Sequence, residues 1–257
     1  MDAAQKARQE IYTSRETRLT EVERDNKLPT VQPRDAATLI LVDRSGPVPK
    51  VLLGRRHANL KFMPGKFVFP GGRVEPRDAA MPVARPLDPH DEKRLMSRIK
   101  RPSARRARAI ALAAIRETFE ETGLLLGSRD GAGQKMPATP GGPWEGFVQA
   151  GLYPDLSAVQ FIARAVTPPG RPRRFDTRFF AADYTSVAHR IEGVVGPDAE
   201  LVELVWLPLG EAQHLDMPQI TAVVLEELES RIADGFGHAL PVPYYRMIRR
   251  YFHRFEL

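Results

Sequence analysis

The sequence contains no cysteine among its 257 residues. Disulfides, thiolate metal sites and a cysteine nucleophile are therefore excluded, and a reducing compartment is compatible with the chain. Long apolar runs are also absent, because the longest, at 37–42, falls far short of the roughly 20 residues that span a bilayer. Residues 1–27 are polar and lack the apolar core of a signal peptide. These absences predict a cytoplasmic protein that does not enter a membrane.

Positive charge is in excess, with 38 Lys and Arg against 32 Asp and Glu, a net charge of +6 and a pI near 9.7. The excess favours an anionic partner but leaves nucleotides, nucleic acid and acidic membranes open. The basic run at 97–107 lacks interleaved aromatic residues, so we interpret it as a solvated face and not as a nucleic-acid patch. Whether two chains pair as a homodimer is left open.

Turn residues and apolar runs divide the chain into candidate elements. Residues 1–32 are predicted to be an N-terminal extension with one helix, and 33–257 a single domain. Within it, 128–143 is predicted to be a loop, 218–233 an amphipathic helix, and the C-terminal 244–257 a helix packed on its own domain. Strands are predicted at 37–42, 50–54, 66–69, 160–166, 178–183 and 201–207.

Residues 79–102 carry four prolines and many charges, and they look like an insertion with a short helix at 91–99. Ser103 can then cap a long helix that runs to Thr122, with Gly123 just past its end. At about 100° per residue, the carboxylates of this helix fall on one side and its bulky apolar residues on the other.

Glu117, Glu120 and Glu121 are three and four residues apart on that helix, so they repel one another. A bound cation would remove this cost, and magnesium prefers carboxylate and phosphate oxygens as ligands. The alternative from spacing alone is a solvated acidic face paired with nearby arginines.

The stretch RETFEETGL at 116–124 resembles the second half of the motif GX5EX7REUXEEXGU, in which U is a bulky apolar residue. Its first half is found upstream, with Gly72 followed six residues later by Asp78. The motif is the Nudix box, so the sequence resembles the Nudix hydrolase family. Asp78 replaces a glutamate, Thr118 replaces an apolar residue, and 37 residues separate Asp78 from Arg116 where the motif has seven.

The interrupted box is similar to that of the Nudix branch that includes the peroxisomal coenzyme A diphosphatase. Residues 173–180, 200–212 and 217–229 also resemble strands and the last helix of this branch. Residues 52–72 are similar to the coenzyme A motif LLTXR(S/A)X3RX3GX3FPGG, with departures at Gly54, His57 and Lys61.

This resemblance implies an α/β/α sandwich with a mixed sheet, and Mg²⁺- or Mn²⁺-dependent cleavage of coenzyme A or acyl-coenzyme A to 3′,5′-ADP and 4′-phosphopantetheine products. It implies a small-molecule nucleotide as the partner, with neither membrane nor nucleic acid. Two alternatives are another nucleoside diphosphate derivative (ADP-ribose, NADH, a dinucleotide or capped RNA) and a non-catalytic nucleotide- or RNA-binding module.

The resemblance also implies roles for individual residues. The implied metal ligands are Glu117, Glu120 and Glu121, with help from the Gly72 carbonyl and Asp78. Glu117 is the expected base, and Arg116 is expected to orient a glutamate. Glu200 and Glu203 are candidates for an additional ligand or base. The candidates for phosphate binding are Arg55, Arg56, Lys61, Arg173 and Arg174.

Overall fold

The structure is a computed structural model that describes residues 3–25, 27–28, 31–129 and 139–257. Its helices are α1 (Ala3–Glu21), α2 (Pro89–Leu95), α3 (Ala104–Thr122), α4 (Glu145–Gln149), α5 (Leu209–Ala212) and α6 (Gln219–Ala233). Its strands are β1 (Arg34–Asp43), β2 (Lys50–Arg56), β3 (Phe67–Val68), β4 (Gly71–Arg73), β5 (Leu124–Ser128), β6 (Tyr153–Pro154), β7 (Gln160–Val166), β8 (Phe175–Asp183), β9 (Val187–Arg190), β10 (Leu201–Pro208), β11 (Pro243–Ile248) and β12 (Tyr251–Glu256).

Most of the strands join one mixed sheet in the order β10-β2-β1-β8-β7-β11-β12, with β3 beside β2 and β4 beside β1. The pairs β1/β8 and β7/β11 are parallel, and the other pairs are antiparallel. A small second sheet in the order β6-β5-β9 was not predicted. The six predicted strands correspond to β1, β2, β3, β7, β8 and β10, within three residues at each end.

The core lies on both faces of the large sheet, since successive strand residues point in opposite directions. Leu39 and Leu41 of β1 pack with α3 on one face, whereas Ile40 and Val42 pack with α6 and α1 on the other. This arrangement is the predicted α/β/α sandwich with a mixed sheet. The predicted helix at 218–233 is α6, which begins one residue later.

The 79–102 insertion is part of the core and is not looped out. Met81, Leu87 and Leu95 are buried in the cluster that surrounds α3. Its helix α2 begins at Pro89, two residues before the predicted start, and ends at Leu95, four residues before the predicted end. Asp88 is its N-cap. In the predicted loop at 128–143, residues 130–138 lie outside the described part, Ser128 ends β5, and 142–144 form a 3₁₀ turn.

A hydrogen-bonded pair holds the insertion against the segment that follows α6. The fully buried Asp91 of α2 accepts from the backbone N–H of Phe161 at 3.1 Å, and its Oδ2 lies 2.6 Å from Nδ1 of His238. Asp91 is the main reason that the pKa of His238 is raised; Asp88 acts in the same direction, while burial and Arg231 oppose it.

We expect this pair to make stability depend on pH. Its contribution is fully present below the ordinary histidine pKa of about 6.5 and is lost as the pH rises through the higher pKa of the folded state. A charge-assisted hydrogen bond contributes about 1.5 kcal/mol, which sets the scale of the change. Urea unfolding between pH 5.5 and 8.5 measures it. A His238→Gln variant with the same pH slope as the wild type would contradict the assignment.

The prediction of a helix at 244–257 is wrong, because this segment forms the hairpin of β11 and β12. Arg249 and Arg250 make the turn with φ values of 47° and 78°, a left-handed pair more common for Asn-Gly than for two arginines. Tyr245 and Phe252 of the hairpin are buried in the core on the α6 side. The turn contains no glycine, asparagine or aspartate, the residues that usually indicate a hairpin in a sequence.

The N-terminal extension contains the one predicted helix, α1, and that helix covers the free edge of β12. The backbone N–H groups of Phe252 and Arg254 donate to side-chain oxygens of Thr20 at 2.9 Å and Glu16 at 2.6 Å. The buried Arg15 forms ion pairs with Glu226 and Glu227 of α6 at 2.9 and 2.8 Å. The domain boundary at residue 32 stays a prediction. Within the described residues, no helix is long and apolar enough to cross a membrane.

Candidate active site

Helix α3 places the carboxylates, and its ends follow the predicted signals. The Ser103 hydroxyl accepts from the backbone N–H of Arg106 at 3.2 Å, and Gly123 ends the helix in the left-handed region at φ 76°. Thr118, which stands where the motif has an apolar residue, is buried and donates to the carbonyl of Ala114 at 2.8 Å. The substitution therefore leaves no unpaired polar group.

The last turns of α3 lie against β4. Gly72 pairs with Ala37 of β1, and a Cβ atom added to Gly72 would overlap the carboxylate of Glu117. The neighbouring Gly71 donates its N–H to Oε2 of Glu121 at 3.2 Å. The glycines at the start of the predicted motif thus let the backbone reach the glutamates at its end.

We expect Gly72→Ala to lower activity at least a hundredfold, because the new methyl group must displace the Glu117 carboxylate. A misplacement of about 1 Å at a reacting group can cost about 10²-fold in rate. Steady-state kinetics check the rate, and circular dichroism checks the fold. Gly46→Ala, where an added Cβ meets open space, is the matched control. An active Gly72→Ala enzyme would show that Glu117 can work from another position.

Arg116 joins the two halves of the motif from a nearly fully buried position. Its Nε donates to Oδ1 of Asp78 at 2.8 Å, and its Nη1 donates to Glu117 at 2.9 Å and Glu120 at 2.6 Å. Burial would lower the pKa of Arg116, but the hydrogen bond to Asp78 and the surrounding carboxylates raise it. One guanidinium is therefore shared by three carboxylates.

Asp78 is fully buried beneath this arginine. Its Oδ2 accepts from the backbone N–H of Glu75 at 2.7 Å and from Nη2 of Arg116 at 3.2 Å. Both carboxylate oxygens therefore have partners within the protein. This geometry favours a positioning role for Asp78 over the expected one of assisting a metal ion.

The remaining carboxylates are crowded and only partly compensated. Burial is the main reason that the pKa of Glu117 rises to about 7, with Glu120 adding to the rise and Arg116 opposing it. Burial raises the pKa of Glu121 well above its ordinary value, and the negative charges of Glu200 and Glu117 raise it further. Arg116 therefore only partly compensates the crowded carboxyl groups of this helix.

Glu117 and Glu121 open onto a cleft of about 960 Å³. Among the predicted basic residues, Arg56, Arg173 and Arg174 line it. The structure therefore brings carboxylates and arginines together around one space.

Other predicted residues lie elsewhere or take other partners. Arg55 pairs with Glu203 at 2.8 Å in an exposed salt bridge, and Lys61 is exposed. Arg55, Lys61 and Glu203 are not among the described residues that line the cleft. Glu200 does line the cleft, where it accepts from Nη1 of Arg56 at 2.8 Å. Of the two later glutamates, only Glu200 is thus close to the carboxylates of α3.

Several residues that line the cleft were not predicted from the sequence. Arg34 and Arg73 are two of them, and Phe62 and Phe175 meet edge to face with ring centroids 6.4 Å apart. Arg73 could have been found because it follows Gly72 directly. Arg34 could not have been found from the sequence, because the parallel pairing of β1 with β8 is what places it beside the cleft.

Known proteins resemble both this sequence and this fold, although no protein-family model matches the chain. A NUDIX hydrolase from Alicyclobacillus acidocaldarius with a known crystal structure is 32% identical. The match covers 77% of this chain and 91% of that one, with a TM-score of 0.59. The chain belongs to the Nudix hydrolase family. The family predicted from the motif is therefore confirmed.

Two curated relatives match a smaller part of this Nudix chain. The acyl-coenzyme A diphosphatase NUDT19 of Gallus gallus is 31% identical over 57% of this chain and 54% of its own length. The putative nudix hydrolase 7 of Caenorhabditis elegans is 28% identical over 57% of this chain and 43% of its own length. The chain thus spans about half the length of the curated relatives it matches.

Nudix hydrolases generally use divalent metal ions, so the donor set must suit such an ion. Across the described residues, no three His, Asp or Glu side chains already stand around one point as a metal cluster does. The chemistry nevertheless fits: the crowded carboxyl groups of Glu117 and Glu121 line the cleft, and only a glycine at position 72 leaves room beside Glu117. Carboxylate and backbone oxygens are the ligands that Mg²⁺ and Mn²⁺ take.

Proposed function

We propose that this Nudix hydrolase cleaves the diphosphate of coenzyme A or acyl-coenzyme A into 3′,5′-ADP and a 4′-phosphopantetheine product. The observation that carries the proposal is that one cleft holds Glu117 and Glu121 together with Arg56, Arg173 and Arg174. The acyl-coenzyme A diphosphatase named among its relatives and the similarity of residues 52–72 to the coenzyme A motif support the choice of substrate.

In this proposal Glu117, Glu120 and Glu121, with the carbonyl of Gly72, hold Mg²⁺ or Mn²⁺. Bound there, such an ion would neutralise diphosphate charge and would lower the pKa of a coordinated water toward neutrality. Glu117 takes the proton from the attacking water, because its carboxylate lies in the cleft beside β4. Glu200 is the alternative base or additional ligand, ahead of Glu203, because Glu200 lines the cleft and Glu203 does not.

Arg116 is a positioning residue, because its described contacts are to Asp78, Glu117, Glu120 and the carbonyl of Arg73. Asp78 in turn fixes Arg116. Arg173 and Arg174 are proposed to bind phosphate groups at the other side of the cleft. Arg174 is held by donating to the carbonyls of Thr167 at 3.0 Å and Val31 at 2.6 Å. Arg56 is held by Glu200. Arg55 and Lys61 lie outside the cleft, so we assign them no phosphate contact, only long-range attraction of an anionic substrate.

A product panel tests the proposal. Purified protein is incubated with coenzyme A, acetyl-coenzyme A, ADP-ribose and NADH, each with Mg²⁺, with Mn²⁺ or with EDTA, and products are identified by mass spectrometry. We expect 3′,5′-ADP from the two coenzyme A substrates, complete loss of activity with EDTA, and recovery when metal is restored. Glu121→Gln keeps the size of the side chain and is expected to be inactive.

The outcomes separate the alternatives. Cleavage of ADP-ribose or NADH alone would retain the Nudix chemistry and reject coenzyme A as the substrate. Binding of these ligands without turnover, at an affinity that Glu121→Gln does not change, would support a non-catalytic module.

A further inference from the structure

A second cleft lies on the other side of Arg34 and Arg73. It has a volume of about 860 Å³ and lies between the start of β1, the segment after β4 and the first turn of α3. Arg34 and Arg73 line both clefts, so the two spaces meet at these side chains.

The second cleft is positively charged. Arg34, Arg73 and Arg105 are exposed at its walls, and none of them has an ion pair with any described residue. Glu75 is the only lining carboxylate without a described ion pair. Three arginines without a described ion pair and one such glutamate, Glu75, therefore line the same space.

The second lining carboxylate, Asp35, is already neutralised. Arg106 donates to it at 2.7 Å from Nε, and Arg178 donates to it at 2.7 Å from Nη1. Arg178 is fully buried, and its Nε and Nη2 have no hydrogen-bond partner in the described part of the chain. The charge of Asp35 is therefore compensated within the protein and does not offset the arginines at the walls of the cleft.

The spacing of the two clefts sets the size of a ligand that fills both. Arg73 directly follows Gly72, which contacts the proposed metal site. Arg105 and Glu117 are twelve residues apart on α3, which corresponds to about 18 Å along the helix axis. Because both side chains extend from the helix, the span between their ends differs from this backbone spacing, and a ligand that occupies both clefts is longer than a diphosphate group.

We propose that the second cleft binds a phosphate group that the substrate carries away from the diphosphate to be cleaved. Arg34 and Arg73 line the passage between the clefts, and Arg105 closes its far end. Arginine suits this role because its planar fork donates two hydrogen bonds to phosphate. The inference rests on the proposed function for the position of the cleaved diphosphate, and coenzyme A carries such a group as its 3′-phosphate.

Binding without turnover tests this subsite. Calorimetric titrations with adenosine 3′,5′-bisphosphate and with AMP, in the presence of Mg²⁺, compare ligands that differ by one phosphate. We expect the wild type to bind the bisphosphate about tenfold more tightly, which is the effect of one charge-assisted contact. Arg105→Ala should remove most of this preference, and Arg105→Lys should keep part of it. Arg246→Ala, on the exposed face of β11 and outside both clefts, should keep all of it.

Equal binding of the two ligands by the wild type would overturn the proposal, and so would an unchanged preference in Arg105→Ala. A titration with inorganic phosphate identifies the source of the anion. If phosphate binds in a manner that requires Arg105 while the bisphosphate and AMP bind equally, the cleft takes a free anion and the proposal is rejected. Because no hydrolysis is involved, failure of the product panel leaves this result interpretable.

Discussion

Replacing Glu117 by glutamine is expected to lower kcat by about three orders of magnitude, within the 10²–10⁴ range for loss of a general base. Glutamine keeps the shape that fits over Gly72 and an oxygen that can accept from Nη1 of Arg116 at the position now 2.9 Å away. The fold should therefore be retained, and removal of one of several crowded negative charges should not lower the melting temperature.

The matched control is Glu203→Gln, which removes a glutamate from an exposed pair with Arg55 outside the cleft. Its kcat should stay within twofold of the wild type. Steady-state kinetics with saturating Mn²⁺ and thermal unfolding of the same preparations make the comparison. If Glu117→Gln retains a tenth or more of the wild-type kcat, Glu117 is not the base, and Glu200→Gln becomes the decisive variant.

Arg116→Met is expected to destabilise the fold by about 3–5 kcal/mol, the usual result of removing one partner from a buried ion pair. The cause is Asp78, which is fully buried and would keep only the backbone N–H of Glu75 as a partner. Glu117 and Glu120 would also lose their shared cation. Urea unfolding at pH 7.5 measures the change in the free energy of unfolding.

The double variant Arg116→Met/Asp78→Asn separates this effect from a simple loss of packing. Asparagine removes the buried charge, so the double variant should be more stable than Arg116→Met alone. A double-mutant cycle with Asp78→Asn gives the coupling energy. A coupling energy near zero would mean that Asp78 and Arg116 do not depend on each other.

The parts of the site that follow from local sequence were predicted well. Helix α3 begins after Ser103 and ends at Gly123, because capping depends on residues within one turn of each end. The contact between Gly72 and Glu117 was predictable only through the motif, since 45 positions and a folded insertion separate them. The family resemblance predicted this contact, whereas helix periodicity could not.

Other parts depend on tertiary contacts that no short window contains. Glu200 and Glu203 are equivalent in the sequence, yet the irregular pairing of β10 with β2 gives one to Arg56 in the cleft and the other to the exposed Arg55. The C-terminal hairpin was missed because Arg249 and Arg250 adopt a turn that usually needs glycine or asparagine. Burial of the insertion likewise follows from the surface that α3 and β7 present to it.

The cover that α1 provides for β12 has a consequence for the order in which the chain can fold during synthesis. The hydrogen bond between Glu16 and Arg254 joins residues that are 238 positions apart. While the ribosome is still adding the strands of the sheet, α1 has been made but its docking partners α6 and β12 have not. A nascent chain therefore carries both an undocked helix and, once β11 and β12 have formed, a strand edge open to other chains. Pairings between such distant segments form slowly, so this strand edge stays open to association with other chains until α1 docks.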